Sequence, residues 1–283
     1  MKKKGWIITG VILIVLIAVI AILSFTLFSL KSVSVDFRTS MEGLSISSEE
    51  IIEAGQFNNT SVFFQKKSKN KENIEKTYPY IKVINIETVF PSSFVVHVAV
   101  RQEVYAIEQN EKVFYLDETL KVLKEVDDFL LSQDKPILLQ GLEIDGEIEV
   151  GQTLKVAGFV DLYSSLFASN LDLGAQKTMI EKINFSKEYD SNLKMQQDIA
   201  TIYMFNGQQY RIVDTSYGLE YKINRLKQIY SNFYNFIGKE VALENGEKKV
   251  LSEDDVKSAK FSILSYYDRL SHGENETYFT ISI

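Results

Sequence analysis

Cysteine is absent from the 283 residues, which excludes disulfides, thiol nucleophiles and cysteine-ligated metal centres. A chain of this length can bury enough apolar surface to fold without covalent staples. Histidine is scarce too, with His97 and His272 far apart in sequence. A hydrolytic triad would need one of them as its base. His97 lies in a strand-like run with no carboxylate or second histidine at ligand spacing, so it reads as a surface or packing residue. No G-x-S-x-G elbow and no phosphate-cradling glycine loop occurs. Carboxylates cluster at Asp127-Asp128 and Glu253-Asp254-Asp255. Paired acids could serve a glycosidase, but adjacent acids in polar loops are usually solvated or cap helices. The chain reads as non-catalytic, with no catalytic residue, metal, cofactor or small-molecule substrate. The Asn-x-Ser/Thr triplets at Asn58, Asn59, Asn184 and Asn275 matter only in a glycosylating secretory pathway.

What dominates the sequence is Trp6–Leu30, 25 residues without a charged side chain, preceded by Lys2, Lys3 and Lys4. As a helix it reaches ~37 Å, enough to cross a ~30 Å hydrocarbon core with tilt. The run is too long for the apolar region of a signal peptide, and Ala18 and Ala21 lie inside it rather than at its end. It reads as an uncleaved anchor, with residues 1–5 in the cytoplasm, Trp6 among the headgroups and the C-terminal bulk outside. Setting Lys2–Lys4 aside leaves 28 basic residues against 38 acidic ones beyond the membrane. Such a surface has no electrostatic reason to bind nucleic acid or anionic lipid headgroups.

From Lys31 the chain alternates with period two, placing Val33, Val35 and Phe37 on one side of a strand. Ser47 and Glu50 have capping-box spacing for a short helix, and Gly55 suits its left-handed stop. A second, polar helix over Lys69–Thr77 ends before Pro79. Strands follow at Ile81–Val89 and Phe94–Arg101 around the turn Phe90-Pro91-Ser92-Ser93. In the second of them Phe94, Val96, Val98 and Val100 share one face, with Val95, His97 and Ala99 on the other.

An anchor, a strand–helix–helix–strand–strand unit and a β-rich remainder together resemble the bacterial division family FtsQ/DivIB, the unit resembling its POTRA domain. The resemblance is carried by Glu53-Ala54-Gly55, Asn59-Thr60-Ser61-Val62-Phe63, Tyr78-Pro79-Tyr80-Ile81-Lys82-Val83 and Val89-Phe90-Pro91-Ser92. Where the family has a V-x-V-x-E-R-x-P-V-A pattern, this chain reads Val96-His97-Val98-Ala99-Val100-Arg101-Gln102-Glu103-Val104-Tyr105. The valines and arginine match, whereas Val100, Glu103 and Tyr105 replace the glutamate, proline and alanine.

Beyond residue 101, strands are expected at Val104–Ile107 and Lys112–Leu116 around Gln109-Asn110-Glu111, and Asp117-Glu118-Thr119 turns the chain into another at Leu120–Lys124. Tyr115-Leu116-Asp117 and Pro136–Gly141 are similar to short phrases of the family. Val156, Phe159, Val160, Tyr163 and Phe167 predict an amphipathic helix over Leu154–Ser169. Strands are expected at Met179–Ser186 and Leu193–Phe205, then an Asn206-Gly207 turn with both residues suited to positive φ, then Gln209–Val213. A long helix over Ser216–Phe236 would bury Leu219, Ile223, Leu226, Tyr230, Phe233 and Ile237; its Lys222 and Leu226 resemble a K-x-x-x-L helix of the family. Glu240–Asp255 reads as a loop, with Ser252–Asp255 able to cap a helix instead, and Thr277–Ile283 as the last strand. Asp268-Arg269 resembles a family D-x-R phrase.

The expectation is an α+β chain: a tail (1–5), one N-terminal transmembrane helix (6–30), a POTRA-like βααββ domain (31–101) and a β-rich domain with flanking helices (102–283). The resemblance implies a bitopic scaffold at the septum that binds small membrane proteins of the FtsB/DivIC and FtsL type beside the septal peptidoglycan synthesis machinery. The contact surface expected is the edge of the last strand, Tyr278, Phe279, Thr280 and Ile281, joined by strand addition. A membrane-tethered sensor or adhesion module and a cell-wall enzyme are the competing readings.

Overall fold

Helix α1 spans Lys2–Thr26 in the computed structural model, which describes residues 2–282 apart from 41–42, 128, 130–134, 157–158, 160–164, 166–178, 192–193, 217 and 264–278. Side chains in α1 are described at Gly10–Ile20, Ile22 and Thr26. Among the described residues, no helix is long and apolar enough to cross a membrane. The helix stops four residues short of the expected Leu30. Phe28–Leu30 is instead drawn into the domain that follows, where Leu30 N–H donates to Thr60 (3.0 Å) and the Phe28 carbonyl accepts from Val62 (2.8 Å). Leu30 is buried, and the Phe28 ring packs edge-on against Phe63. The hydrophobicity of this stretch serves a protein core.

Two compact units divide the chain, Met1–Arg101 and Gln102–Ile283. In the first, β1 (Ser32–Phe37), α2 (Ser48–Gly55), α3 (Lys67–Thr77), β2 (Ile81–Val89) and β3 (Ser93–Val100) follow in order. The sheet order is β1-β3-β2, with β1 parallel and β2 antiparallel to β3. Phe94, Val96 and Val98 of the central strand are buried together with Ile51 of α2 and Ile74 of α3, so both helices cover one face.

The Ser47–Glu50 capping box forms as expected. The helix stop does not. Gln56, not Gly55, takes the left-handed conformation (φ 51°). Gly55 is the last helical residue, and a Cβ there would lie 2.4 Å from the Phe57 ring, so it is small for packing rather than for its backbone. Asn70, buried in α3, donates to the Gly55 carbonyl (2.7 Å) and fastens one helix to the other. Arg101 ties α3 to the end of the sheet through Glu75 (3.1 Å), whose carboxylate also accepts from Val83 N–H (2.8 Å).

In the second unit one sheet of nine strands runs β14-β13-β10-β9-β8-β7-β4-β5-β6. Its strands are β4 (Tyr105–Gln109), β5 (Lys112–Leu116), β6 (Val122–Val126), β7 (Ile137–Gln140), β8 (Ile180–Asp190), β9 (Met195–Met204), β10 (Gln209–Val213), β13 (Lys260–Ile263) and β14 (Phe279–Ser282). A separate hairpin pairs β11 (Glu240–Ala242) with β12 (Lys248–Val250), inside the stretch expected to be loop. Asn110 and Glu111 both have positive φ, as a tight β4–β5 hairpin requires. In the Asn206-Gly207 turn only Gly207 does; Asn206 contributes its side chain, which accepts from Gln208 N–H (3.1 Å).

β10 and β13 are parallel, so the chain between them must cross over rather than turn back. That crossover contains α4 (Leu219–Ser231), whose Leu219, Ile223, Leu226 and Ile229 are buried in the core. It is shorter than expected: a 3-10 turn takes Phe233–Phe236, and Ile237 is exposed rather than buried. Lys222, buried in α4, donates to the carbonyls of Val213 (2.7 Å) and Asp214 (2.6 Å), joining the helix to the strand it leaves. Leu154–Val156 is not helical, because Leu154 N–H pairs with Leu120 (3.0 Å) in an extended bridge. Most of the rest of that expected helix lies outside the described residues, although Phe159 is helical and packs against Tyr105 at 5.2 Å.

Two glycines separate backbone strain from crowding. Gly141 has φ +73°, and a Cβ there would lie 1.9 Å from the Phe185 carbonyl oxygen; Gly246 has φ +84° with nothing within 4 Å. Gly246→Ala should cost about 1–3 kcal/mol of left-handed strain alone, and Gly141→Ala clearly more, because β7 and β8 must also separate. Urea unfolding of the full chain in detergent, followed by circular dichroism, checks the order of the two.

Candidate functional site

A sheet's functional surface for another chain is an edge strand, where backbone donors and acceptors lack partners. The nine-stranded sheet ends in β6 and β14. At the β6 end the chain's own Gly151 and Gln152 pair with the first residue of the strand: Val122 N–H donates to Gln152 (2.8 Å), and the Val122 carbonyl accepts from Gly151 (2.9 Å). The other end, β14, is the edge at which the sequence places the contact.

Of the four residues expected to form the contact, Tyr278 lies outside the described residues, and Phe279 and Thr280 are described in backbone only. Ile281 is 3% exposed, sits opposite Phe261 in the register and belongs to the core. Its side chain therefore faces the domain's own interior. Its carbonyl accepts from Glu244 N–H (2.9 Å), beside the β11–β12 hairpin. Because backbone groups alternate sides along a strand, Ile281 and Phe279 direct theirs away from β13, while Thr280 and Ser282 pair with it. Among the described residues, the Phe279 N–H and C=O have no partner on this side. The usable edge is short, centred on Phe279 and bounded by the Glu244 contact.

An ionisable cluster that the sequence did not announce lies in the first unit, on the sheet face away from the helices. His97 in β3 is buried between carboxylates from both neighbouring strands, with Asp36 Oδ2 2.8 Å from Nδ1 and Glu87 Oε2 3.0 Å from Nε2. Arg38 approaches the same Nδ1 at 2.9 Å and pairs with Asp36 at 2.7 Å. The cationic ring can donate to both acids, whereas the neutral ring can donate to Glu87 and accept from Arg38. The hydrogen bond to Glu87 and then that to Asp36 raise the His97 pKa above its ordinary 6.5, against burial and the Arg38 charge.

In the acidic cluster at 253–255, Glu253 and Asp255 have structural roles. Ser252 caps α5 (Glu253–Lys257). Asp255 closes that capping box and pairs with Lys249 (2.8 Å), contacts that lower its pKa to about 2. Glu253 is held by Lys257 one turn on. Asp127 is exposed in a turn; Asp128, Asp268-Arg269 and His272 lie outside the described residues. Among the described residues no group of acids and histidines is arranged to hold a metal ion.

Residues 42–99 match the family model described as POTRA domain, FtsQ-type. The chain thus carries an FtsQ-type POTRA domain, in support of the FtsQ/DivIB resemblance. Among solved structures, it is similar to the major extracytoplasmic domain of the bacterial cell division protein DivIB from Geobacillus stearothermophilus, at 14% identity and a TM-score of 0.29 over 48% of this chain and 97% of that one. That superposition is too loose to bear on the fold. No curated protein matches the chain.

The raised His97 pKa sets a sign for the pH dependence. The stabilisation is fully present below the ordinary histidine pKa and is lost as pH rises through the elevated value. Urea unfolding across this window should show stability declining with pH, and Glu87→Gln should flatten the decline. An NMR titration of His97 should give a midpoint above 6.5 that falls in the same variant.

Proposed function

We propose that this chain, whose first folded unit is an FtsQ-type POTRA domain, is a single-pass membrane scaffold of the bacterial division machinery that binds other division proteins outside the cytoplasmic membrane. The observation that carries the reading is the FtsQ-type match over residues 42–99. The anchor is supported by Trp6–Leu30, which has no charged residue, and by Val11–Ile20, all exposed along α1. A water-facing helix would not present ten such residues in a row. Lys2, Lys3 and Lys4 before the run favour a cytoplasmic N-terminus.

The partners fitting this reading are small bitopic proteins of the FtsB/DivIC and FtsL type, held near the septal peptidoglycan synthesis machinery. The mode is strand addition at β14, in which an extended segment completes hydrogen bonds at Phe279. The protein acts by holding rather than by chemistry: the acids Glu253 and Asp255 are committed to capping and ion pairs.

Phe279→Pro tests the edge. It removes the outward N–H while leaving the ladder to β13 intact, since proline is tolerated on an edge strand. Capture of the bitopic partners by the full chain should fall about tenfold or more, a loss of about 1.4 kcal/mol. Deleting Thr277–Ile283 should abolish capture, and circular dichroism reports whether the sheet survives. Unchanged capture by folded Phe279→Pro would place the contact elsewhere. Depleting the protein should give filamentous cells without septa; normal septa would sink the division reading.

A further inference from the structure

Three segments meet at the end of the first domain that adjoins α1: 26–35, 56–71 and 88–96. Leu30 N–H pairs with Thr60 (3.0 Å) and Lys31 N–H with Ser92 (2.8 Å), which brings all three together. Their aromatic rings form a row that leads outward. Phe28 lies 5.1 Å from Phe63, and Phe63 lies 5.7 Å from Phe90. The outer rings are not core: Phe63 is 58% exposed, Phe64 68% and Phe90 63%, and Leu27 and Val89 are exposed beside them. A soluble domain seldom gathers so much apolar surface at one place without a use for it.

The charge around this row departs from that of the whole chain. None of the three segments contains an aspartate or glutamate, although the chain has 38 of them. They hold Lys31, Lys66, Lys67, Lys69 and Lys71. Lys67 is turned inward, donating to Thr88 Oγ1 (2.6 Å), while Lys31, Lys66 and Lys69 are exposed. Lys66, Lys69 and Lys76 line a shallow groove along α3, with Glu72 its one acid. The overall acidic balance, which gave no reason to expect contact with anionic headgroups, is an average that conceals this basic end.

We propose that Leu27, Phe63, Phe64 and Phe90 dip into the outer interface of the bilayer while Lys31, Lys66 and Lys69 contact anionic lipid headgroups. The inference rests on the proposed anchor. Aromatic rings flanked by lysines are the composition suited to the boundary between headgroups and acyl chains. Here Leu27, Phe28 and Lys31 follow the helix end at Thr26 directly, and ring contacts link Phe63 and Phe90 to Phe28. A bilayer rather than a protein partner is the favoured occupant because Leu27, the residue after the helix, is exposed and the aromatic row begins beside it at Phe28. The domain would thereby be held against the membrane in one orientation.

The chain has one tryptophan, Trp6. Full-length protein in vesicles of brominated phosphatidylcholine and phosphatidylglycerol therefore gives single-tryptophan reporters. Native Trp6 reads the anchor alone. Trp6→Phe with Phe64→Trp reads the aromatic end. Trp6→Phe with Ser40→Trp reads the far end, beyond β1 and roughly 17 Å along the strand. Trp6 should be quenched, the Phe64→Trp reporter should lose about half its emission and shift to the blue, and the Ser40→Trp reporter should be unaffected. Lys66→Gln with Lys69→Gln should weaken quenching of the Phe64→Trp reporter with phosphatidylglycerol present, and not in phosphatidylcholine alone. Quenching of Trp6 without quenching of the Phe64→Trp reporter would overturn the interfacial contact and leave the anchor standing. Unquenched Trp6 would overturn both. Equal quenching at Phe64→Trp and Ser40→Trp would overturn the orientation, and an effect of the lysine variants that ignores lipid charge would overturn the headgroup contact.

Discussion

A short backbone pairing, Phe28–Leu30 against Thr60–Val62, is the contact on which the first unit's arrangement depends. Two hydrogen bonds and the burial of Leu30 convert the helix exit into part of a folded core. Such bonds are worth about 0.5–1.5 kcal/mol each, and burial of a leucine about 1.5–3 kcal/mol. That is enough to make a fixed joint of what would otherwise be a linker. The same pairing sets Phe63 between Phe28 and Phe90, so the exposed aromatic row follows from how the chain leaves its helix.

In the second unit the controlling constraint is the direction of β13. Running parallel to β10, it obliges the intervening chain to cross over, and α4 fills the crossover with its apolar stripe inward and Lys222 fastened to the end of β10. The consequence is that β14 finishes the sheet. At the opposite end Gly151 and Gln152 pair with Val122, the first residue of β6, as Glu244 pairs with Ile281 of β14.

Much of the first domain was legible because its signals are local. Period-two alternation in β3 put Phe94, Val96, Val98 and Val100 on one face, of which the first three are buried, and the Ser47–Glu50 spacing named a helix start. Gly55 shows the limit of such reading: a glycine at a helix end suggests left-handed backbone, yet the demand came from the Phe57 ring above it. His97 shows another. Its acids stand 61 and 10 residues away in sequence and converge only across the sheet. The expected helix stripe failed at Ile237 because the helix ends at Ser231 and the 3-10 turn that follows sets Phe236, not Ile237, against the core. At the candidate edge, strand character at Phe279–Ile281 could be read from alternation, whereas the Glu244 contact that shortens the edge could not.

The sequence by itself determined which segments are apolar, where strands alternate and that no thiol chemistry is available, because these depend on residues adjacent along the chain. Tertiary structure decided how they are used. It moved Leu30 from the helix into a core, turned the side chain of Ile281 inward, placed His97 between two acids and gathered lysines and exposed phenylalanines from three separated segments at one end of a domain whose chain is acidic overall. The physical reason is the same in each case: burial and electrostatics act over distances of a few ångströms in space, and strand pairing brings together residues that are tens of positions apart.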